Sequence, residues 1–206
     1  MKNVIAISAC LKRCSVAISY KNQLFHVTEY VDAATNLAFL LQNLIRKNGI
    51  SIKEIEGVIT ASGPGSFTGI RTAQSLAKAL AMSLRIPSAS INYFDVIDYI
   101  AAEKKNNRLI IIKSKKNQAY FKKIQNGYEE NGVSSYEQLI KKTEECDFLI
   151  GENIPEIYQL INSSRIIYKE IADFRNAKYL LNFSEQINKN SKIIPLYINA
   201  AMQASI

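Results

Sequence analysis

The chain has 206 residues, of which 48% are hydrophobic and 21% are charged. This balance predicts one large domain or two small lobes with a buried core, and it excludes a disordered chain. The apolar runs, such as Leu37 to Leu41, are far too short to span a bilayer, so a membrane protein is excluded as well.

The net charge of +8 comes from 26 Lys and Arg against 18 Asp and Glu. It leaves attraction to RNA or to an acidic protein surface open. Much of the excess is lysine in the second half, including Lys122, Lys123 and Lys142, but no RNA-binding motif organises these residues. A biased genome composition would produce the same excess, so both interpretations stay open.

The first half begins with three short apolar segments that predict strands. They are Val4 to Ile7, Cys14 to Ser19 and Leu24 to Tyr30, and the short turns between them are typical of an antiparallel meander. We expect a buried strand over 56–60 and a short strand over 89–91.

Three helices are predicted in the same half. Leucines at three- and four-residue spacing indicate a first helix that is capped by Thr35 or Asn36 and ends near Gly49. The second helix is expected over 68–85, and the third over 94–102. Strands mixed with crossover helices predict a mixed sheet covered by helices.

The second half has weaker periodicity, and it follows a charged break at 103–108 that predicts a lobe boundary. Strands are expected over 109–112, 119–124 and 148–151. Helices are expected over 136–142, 155–161 and 172–187, with a closing strand or extended tail over 195–198.

The most informative segment is Gly-Pro-Gly-Ser-Phe-Thr-Gly at 63–69, between a predicted strand and the second helix. Exposed N–H groups at a helix start favour an anion there. However, no Walker A lysine follows the last glycine, and the glycine spacing does not fit the dinucleotide-binding pattern. The alternative, which composition favours, is a rigid strand-to-helix connection stiffened by Pro64, with Phe67 filling a gap in the core.

No catalytic residue is predicted. His26 is the single histidine, so a two-histidine metal site is impossible and a Ser-His-Asp triad would have to use it. A Gly-x-Ser-x-Gly nucleophile turn does not occur, and the carboxylates are scattered. The three cysteines, Cys10, Cys14 and Cys146, are an odd number without an export signal, which predicts reduced thiols and a cytoplasmic protein.

The segment Gly63 to Arg71 resembles the TsaB family of tRNA threonylcarbamoyladenosine biosynthesis proteins, whose members carry the same seven residues followed by an aliphatic residue and Arg. Cys14 to Ala17, Leu44 to Ile50 and Pro195 to Ile198 are similar to further segments of that family. The resemblance implies an α/β protein with the two-lobed actin-like ATPase fold of actin, sugar kinases and heat-shock chaperones, with mixed sheets flanked by helices.

On that resemblance we expect an N-terminal lobe over 1–103 and a smaller, divergent C-terminal lobe over 104–206. The N-terminal lobe is expected to carry the helices that bind a partner. The predicted interface residues on these helices are Leu37, Leu40, Leu41, Leu44, Ile70, Ala73, Ala77, Leu80 and Ala81. The glycine-rich turn is the predicted nucleotide or partner contact, through Gly63, Pro64, Gly65, Ser66, Phe67, Thr68, Gly69 and Arg71.

The function implied by the resemblance is that of a non-catalytic partner subunit in the complex that forms threonylcarbamoyladenosine next to the tRNA anticodon. It would bind and activate a TsaD-like catalytic subunit, together with a TsaE-like ATPase, and would contact tRNA indirectly. We expect no metal and no intrinsic cofactor, with ATP or ADP at an interface shared in the complex. A homodimer is expected when the partner is absent.

The sequence departs from the family pattern at several positions. Where the family's first strand ends in an acidic residue followed by Thr and Ser, this chain has Ser8, Ala9 and Cys10, which disfavours nucleotide hydrolysis. Ala33-Ala34 and Lys113-Ser-Lys115 also replace family residues. Two alternatives therefore stay open: a glycoprotease-like or ATPase-type enzyme, and a basic tRNA-binding module.

Overall fold

The computed structural model describes residues 3–10, 13–102, 106–114, 117–152, 154–160, 166–171, 173–188, 192–194 and 196. Its strands are β1 Val4–Cys10, β2 Arg13–Tyr20, β3 Gln23–Tyr30, β4 Gly57–Gly63, β5 Ser88–Asn92, β6 Asn107–Lys113, β7 Gln118–Gln125, β8 Tyr128–Ser135, β9 Phe148–Gly151 and β10 Ile167–Glu170. Its α-helices are α1 Ala33–Lys47, α2 Phe67–Leu84, α3 Tyr93–Ala101, α4 Tyr136–Thr143, α5 Ile154–Tyr158 and α6 Ala177–Leu180. Two short 3₁₀ helices cover Ile52–Glu54 and Leu181–Gln186.

The chain forms two compact units, and their limits differ from the predicted division after residue 103. The first contains Met1–Tyr93 and Arg175–Leu196, and the second contains Phe94–Phe174. The segment Arg175–Leu196 belongs to the first unit, and it forms hydrogen bonds with residues of that unit. The Ala177 N–H donates to the Ser15 hydroxyl over 2.9 Å. Pro195, Tyr197 and Ile198 of the predicted closing segment lie outside the described residues.

The first unit is built on a five-stranded sheet with the order β3-β2-β1-β4-β5. The first three strands form the predicted antiparallel meander, in which Ile7 pairs with Val16 and Val16 pairs with Val27. β1, β4 and β5 run parallel to one another, which requires the crossover helices α1 and α2. The predicted first-half strands and the mixed sheet are thereby confirmed.

The helices α1 and α2 pack on this sheet through their apolar faces. Asp32, rather than the predicted Thr35 or Asn36, caps α1, because its carboxylate accepts from the Ala34 and Thr35 N–H groups. α2 ends at the left-handed residue Arg85. Buried residues of the shared core include Ile5, Ile7, Val16, Ile18, Leu37, Leu40, Leu41, Leu44, Val58, Ala73 and Ala77.

The second unit contains a five-stranded sheet with the order β10-β9-β6-β7-β8. β6, β7 and β8 are antiparallel neighbours, whereas β9 lies parallel to β6 and β10 parallel to β9. Its core is formed mainly by Leu109, Ile111, Phe121, Leu139, Leu149, Ile154 and Ile157.

The predicted elements of the second half lacked two strands and included one helix that is too long. β8 and β10 were missed, since β8 carries mostly polar residues and all four residues of β10 are exposed. The long helix expected over 172–187 is only the short α6 followed by a 3₁₀ helix. Among the described residues, no helix combines the length and apolarity needed to cross a membrane.

Candidate functional site

The glycine-rich turn begins where β4 leaves the sheet. Gly63 has φ +114°, a conformation that favours glycine, and its peptide bond to Pro64 is cis. A Cβ atom at Gly63 would lie 3.0 Å from Ile70 Cδ1 and 3.2 Å from the Leu196 carbonyl oxygen. The Leu196 N–H donates to the Ser62 carbonyl over 2.7 Å. The first glycine is therefore required by close packing of two other chain segments.

The turn then opens α2 through a side-chain cap. The Ser66 hydroxyl accepts from the Gly69 N–H over 3.4 Å. Phe67 is 55% exposed, so the expectation that it fills a core gap was wrong. Instead, the Arg71 guanidinium lies over the Phe67 ring, 3.7 Å from its centroid, which is a cation–π contact.

A cleft of about 400 Å³ lies between the beginnings of α1 and α2. Its lining residues are Ala34, Phe67, Thr68, Arg71, Thr72 and Ser75. Three of the predicted turn residues, Phe67, Thr68 and Arg71, therefore face solvent beside α1. In contrast, Gly63, Pro64 and Gly69 are buried, and these three provide backbone geometry rather than a contact surface.

The residues chosen for the partner interface lie in the core of the first unit. Leu37, Ala73 and Ala77 are at most 1% exposed. Leu40, Leu41, Leu44, Ile70 and Ala81 are also buried, and Leu80 is half-buried against the same core. These side chains pack on the chain's own sheet, so they are not available to a second protein, and that part of the prediction needs correction.

The solvent-facing sides of the two helices carry a different set of residues. Ser75, Ala79 and Met82 follow one another at three- and four-residue spacing along the outer face of α2, and all are exposed. Met82 is 79% exposed. Ala34 and Ala38 are exposed on α1, and Ala34 lines the cleft shared with α2. Small residues at this spacing allow another helix to approach closely. The sequence contains this second row as well, but the predicted interface was placed on the row that includes Ala73, Ala77 and Ala81, which is buried.

The end of β1 carries Ser8 at the position where the family resemblance places an acid. Ser8 is 2% exposed. Its hydroxyl donates to the Arg175 carbonyl over 2.7 Å, and it accepts from the Tyr93 hydroxyl, also at 2.7 Å. Two internal hydrogen bonds thus use this side chain. A serine held in this way carries no charge with which to bind a metal–phosphate group.

The thiols of Cys14 and Cys146 are buried, one in each unit. Burial raises the pKa of the Cys14 thiol to about 11, with a further contribution from the negative charges of Asp32 and Glu29. Burial likewise raises the pKa of Cys146 to about 11. Both thiols therefore stay protonated at neutral pH. Across the described part of the chain, no three His, Cys, Asp or Glu side chains come together as a metal-binding group.

Several lysines considered for RNA binding form ion pairs. The Lys122 ammonium lies 3.1 Å from Glu129 and 3.3 Å from Asp95. Lys123 lies 2.6 Å from Glu145, and Lys142 lies 2.7 Å from Glu130. These carboxylates neutralise part of the positive charge that composition alone suggested.

Comparison with known proteins identifies relatives over nearly the whole chain. The TsaB protein of Buchnera aphidicola subsp. Acyrthosiphon pisum is 27% identical over 201 residues, which is 95% of this chain and 85% of that protein. The TsaB protein of the Baizongia pistaciae subspecies is 25% identical over 230 residues and covers 97% and 99% of the two chains.

Solved structures show that the fold is shared more widely. YeaZ from Pseudomonas aeruginosa superposes with a TM-score of 0.74 at 18% identity, over 96% of this chain and 100% of that one. A ROK family protein from Streptococcus pneumoniae gives a TM-score of 0.54 at 11% identity, over 89% and 98%. The predicted α/β fold of the actin-like ATPase type, with mixed sheets flanked by helices, is confirmed.

One family model matches residues 32–200, which include α1, the glycine-rich turn, α2 and the sheet of the second unit. That model is described as TsaD, tRNA N6-adenosine threonylcarbamoyltransferase. The predicted resemblance to TsaB is confirmed by the relatives that match over the whole chain. The chain therefore belongs to the TsaD family, in which its whole-length relatives are TsaB proteins.

Proposed function

We propose that this chain is a non-catalytic subunit of the complex that forms threonylcarbamoyladenosine in tRNA, where it binds and activates a TsaD-like catalytic subunit. The observation that carries this function is the family match over 32–200, combined with relatives along the whole chain that are named for this biosynthesis. A TsaD-like protein is the expected partner, because the TsaB relatives of this chain and the TsaD model that matches it are named for the same tRNA modification.

The partner surface is the outer side of α1 and α2 in the first unit. Ala34 and Ala38 on α1 and Ser75, Ala79 and Met82 on α2 leave little side-chain bulk between the backbones and an approaching helix. Met82 adds an exposed, adaptable apolar side chain, which is common at protein interfaces. This surface replaces the buried residues that the sequence pattern suggested.

Further partners follow from the same family. A TsaE-like ATPase joins the complex, tRNA is contacted mainly through the catalytic subunit, and ATP or ADP binds at an interface shared with a partner. The complex acts in the cytoplasm. When the partner is absent, the same helix faces pair in a homodimer, because an exposed apolar surface is costly in water.

The enzyme alternative is less well supported by the geometry. Ser8, at the end of β1, is neutral, buried and hydrogen-bonded within the chain. The tRNA-binding alternative is weakened by the ion pairs of Lys122, Lys123 and Lys142. A partner subunit requires neither a reactive group nor a continuous basic surface. This role also explains why the outer faces of α1 and α2 carry exposed small residues.

Co-expression with a TsaD-like subunit from the same cell tests this function. We expect the two proteins to elute as one complex in size-exclusion chromatography. The Ala79→Arg variant should bind the TsaD-like subunit about tenfold more weakly, because the added side chain separates the helices. Tyr128→Arg, on the exposed strand β8, is the matched control and should bind normally. Absence of a complex with the folded wild-type chain would contradict the proposed partner. Equal binding by Ala79→Arg would contradict the proposed interface.

A further inference from the structure

The outer edge of β3 is an exposed surface of the first unit that differs from the outer faces of α1 and α2. β3 spans Gln23–Tyr30 and is the last strand of its sheet, and within the described part of the chain no strand pairs with its outer edge. Its pairing with β2 is regular along its whole length, so no bulge bends it away. β3 also lacks the Lys and Pro residues with which proteins usually protect such an edge. Its row of N–H and C=O groups is therefore open to another strand.

A groove of about 510 Å³ runs beside this edge, between β3 and the second half of α1. Its lining residues are Leu24, Phe25, His26, Val27, Glu29, Leu40, Asn43, Leu44, Lys47 and Asn48. The volume lies within the range of roughly 300–1,000 Å³ that is usual for ligand sites. Extended peptides bind exposed sheet edges by adding a strand, and pockets beside the edge then select alternate side chains. The combination of an open edge and an adjoining groove fits this mode of binding.

The apolar part of the groove lies on one face of β3. Phe25 and Val27 are half-buried and pack on the core cluster that holds Leu40 and Leu44. Because side chains alternate along a strand, Glu29 shares the face of Phe25 and Val27. Directly opposite residues of antiparallel strands point to the same face, so a bound strand would place alternate side chains over these three residues. Apolar side chains opposite Phe25 and Val27 would extend the core cluster into the groove.

The two ends of the groove differ in charge. α1 follows β3 after a short connection and returns along it, so that Lys47 lies at the end that contains Leu24. Glu29 lies towards the opposite end. Both side chains are exposed, and among the described residues neither forms an ion pair. A segment bound in the groove can therefore pair a basic residue with Glu29 and an acidic residue with Lys47.

We propose that the groove between β3 and α1 binds an extended segment of a partner protein, which adds to the sheet as a sixth strand antiparallel to β3. The segment carries a basic residue opposite Glu29, apolar residues opposite Val27 and Phe25, and an acidic residue that reaches Lys47. In its own chain direction this pattern is basic-x-apolar-x-apolar-x-acidic, where x is any residue. The antiparallel direction continues the meander of β1, β2 and β3, and antiparallel pairs are slightly more stable per residue than parallel ones. The segment uses none of the residues assigned above to the TsaD-like subunit.

A synthetic peptide tests this occupant. The test peptide is acetyl-Thr-Lys-Thr-Val-Thr-Val-Thr-Glu-Thr-amide, in which valine and threonine favour an extended strand. In nuclear magnetic resonance titrations of the full chain, we expect the amide signals of residues 23–30 to shift, and the outward-facing amides of β3 to gain protection from hydrogen exchange. A peptide with serine in place of both valines should bind about tenfold more weakly, because it buries less apolar surface.

Charge exchange tests the direction of the bound segment. A second peptide exchanges the lysine and the glutamate, and it should bind the wild type about fivefold more weakly, because each charge then meets a like charge. The double variant Glu29→Lys with Lys47→Glu should reverse this preference. Arg46→Glu is the matched control, since Arg46 is exposed in the same last turn of α1 but does not line the groove, and it should keep the wild-type preference.

Methylation of the peptide backbone tests the addition of a strand. Along an antiparallel strand, the N–H groups of alternate residues face the neighbouring strand and those of the remaining residues face away. N-methyl groups on one alternate set of test-peptide residues should therefore abolish binding, whereas N-methyl groups on the other set should be tolerated.

Three results would overturn the proposal. They are absence of binding at millimolar concentrations of the test peptide, equal effects of the two sets of N-methyl groups, and a charge preference that the double variant does not reverse. Ala79→Arg should bind the test peptide normally, and loss of binding in that variant would also overturn the proposal, because the peptide would then lie on the outer face of α2. The double charge variant should still bind the TsaD-like subunit, so the groove and the proposed function are tested separately.

Discussion

The two units of this protein have the same strand arrangement but carry very different helices. In each, three consecutive strands are antiparallel, and a fourth and a fifth strand then add in parallel beside the first. The helix after the fourth strand is the main difference. α2 of the first unit has 18 residues, whereas α5 of the second has five.

Both fourth strands nevertheless end in the same way. Gly63 closes β4 with φ +114°, and Gly151 closes β9 with φ +135°. In each case a Cβ atom would meet a neighbouring chain segment, Leu196 in one unit and Ile111 in the other. The glycine therefore belongs to the shared scaffold. The first unit differs in having a longer connection between Gly63 and the next helix, and in the length of that helix, α2.

Among substitutions in the two units, we expect the largest effect at Gly151. In Gly151→Ala the new Cβ would overlap the Ile111 backbone, which cannot move without disturbing β6, so we expect a loss of about 4 kcal/mol in the free energy of unfolding of the second unit. Gly127→Ala is the control, because its φ is +87° but no atom lies within 4 Å, and it should cost about 1 kcal/mol. Urea unfolding followed by circular dichroism measures both, and equal costs would contradict the explanation.

The buried thiols provide one chemical reporter in each unit. Burial raises the pKa of Cys14 and of Cys146 from 9.0 to about 11, so the thiolate fraction at neutral pH is about a hundredfold smaller than for an exposed thiol. In a Cys10→Ser chain, both thiols should react with Ellman's reagent only after their unit opens.

The same two thiols make stability depend on pH in the alkaline range. Since both pKa values are raised on folding, their stabilising contribution is complete below pH 9 and is lost as the pH rises towards 11. Cys146→Ala should remove that alkaline loss from the second unit alone, and rapid labelling of the native protein at neutral pH would contradict the burial.

The corresponding change in the first unit should be smaller. Gly63→Ala places its Cβ against the flexible end of Ile70 and the Leu196 carbonyl, so we expect a cost of about 2 kcal/mol. Gly49→Ala, at φ +61° with nothing within 4 Å, should cost about 1 kcal/mol. If the two variants unfold at the same urea concentration, then Leu196 does not restrict the turn.

Local patterns were sufficient for most of the first unit. The alternation in 14–19 and 24–30 and the leucine spacing after Asn36 gave strands and a helix where the structure has β2, β3 and α1. Periodicity identifies a face that must be buried, but not what buries it. Ala73 and Ala77 were assigned to a partner because small residues allow close approach, and the structure shows that they allow α2 to approach its own sheet.

Contacts between distant residues account for what the sequence did not reveal. Ser8 is bonded to the carbonyl of Arg175, 167 positions later, and no local signal marks either residue. The return of residues 175–196 to the first unit could therefore not be predicted from composition or spacing. β8, with mainly polar residues, is held by pairing with β7, so its strand character comes from its neighbour rather than from alternation.

The smallest expected effect compares one ion pair from each unit. In the second unit the Arg108 guanidinium binds both carboxylate oxygens of Asp98 at 2.6 and 2.7 Å, and both side chains are mostly shielded from solvent. Asp98→Asn should therefore cost about 1 kcal/mol, because a bidentate, partly buried pair keeps more of its attraction than an exposed one. In the first unit Lys21 and Glu54 are also in contact, at 3.1 Å, but both are exposed, so Glu54→Gln should leave the unfolding midpoint unchanged. Raising the salt concentration should reduce the difference between Asp98→Asn and the wild type only slightly, since shielded charges are screened little. A midpoint shift in Glu54→Gln as large as that in Asp98→Asn would show that burial does not separate the two pairs.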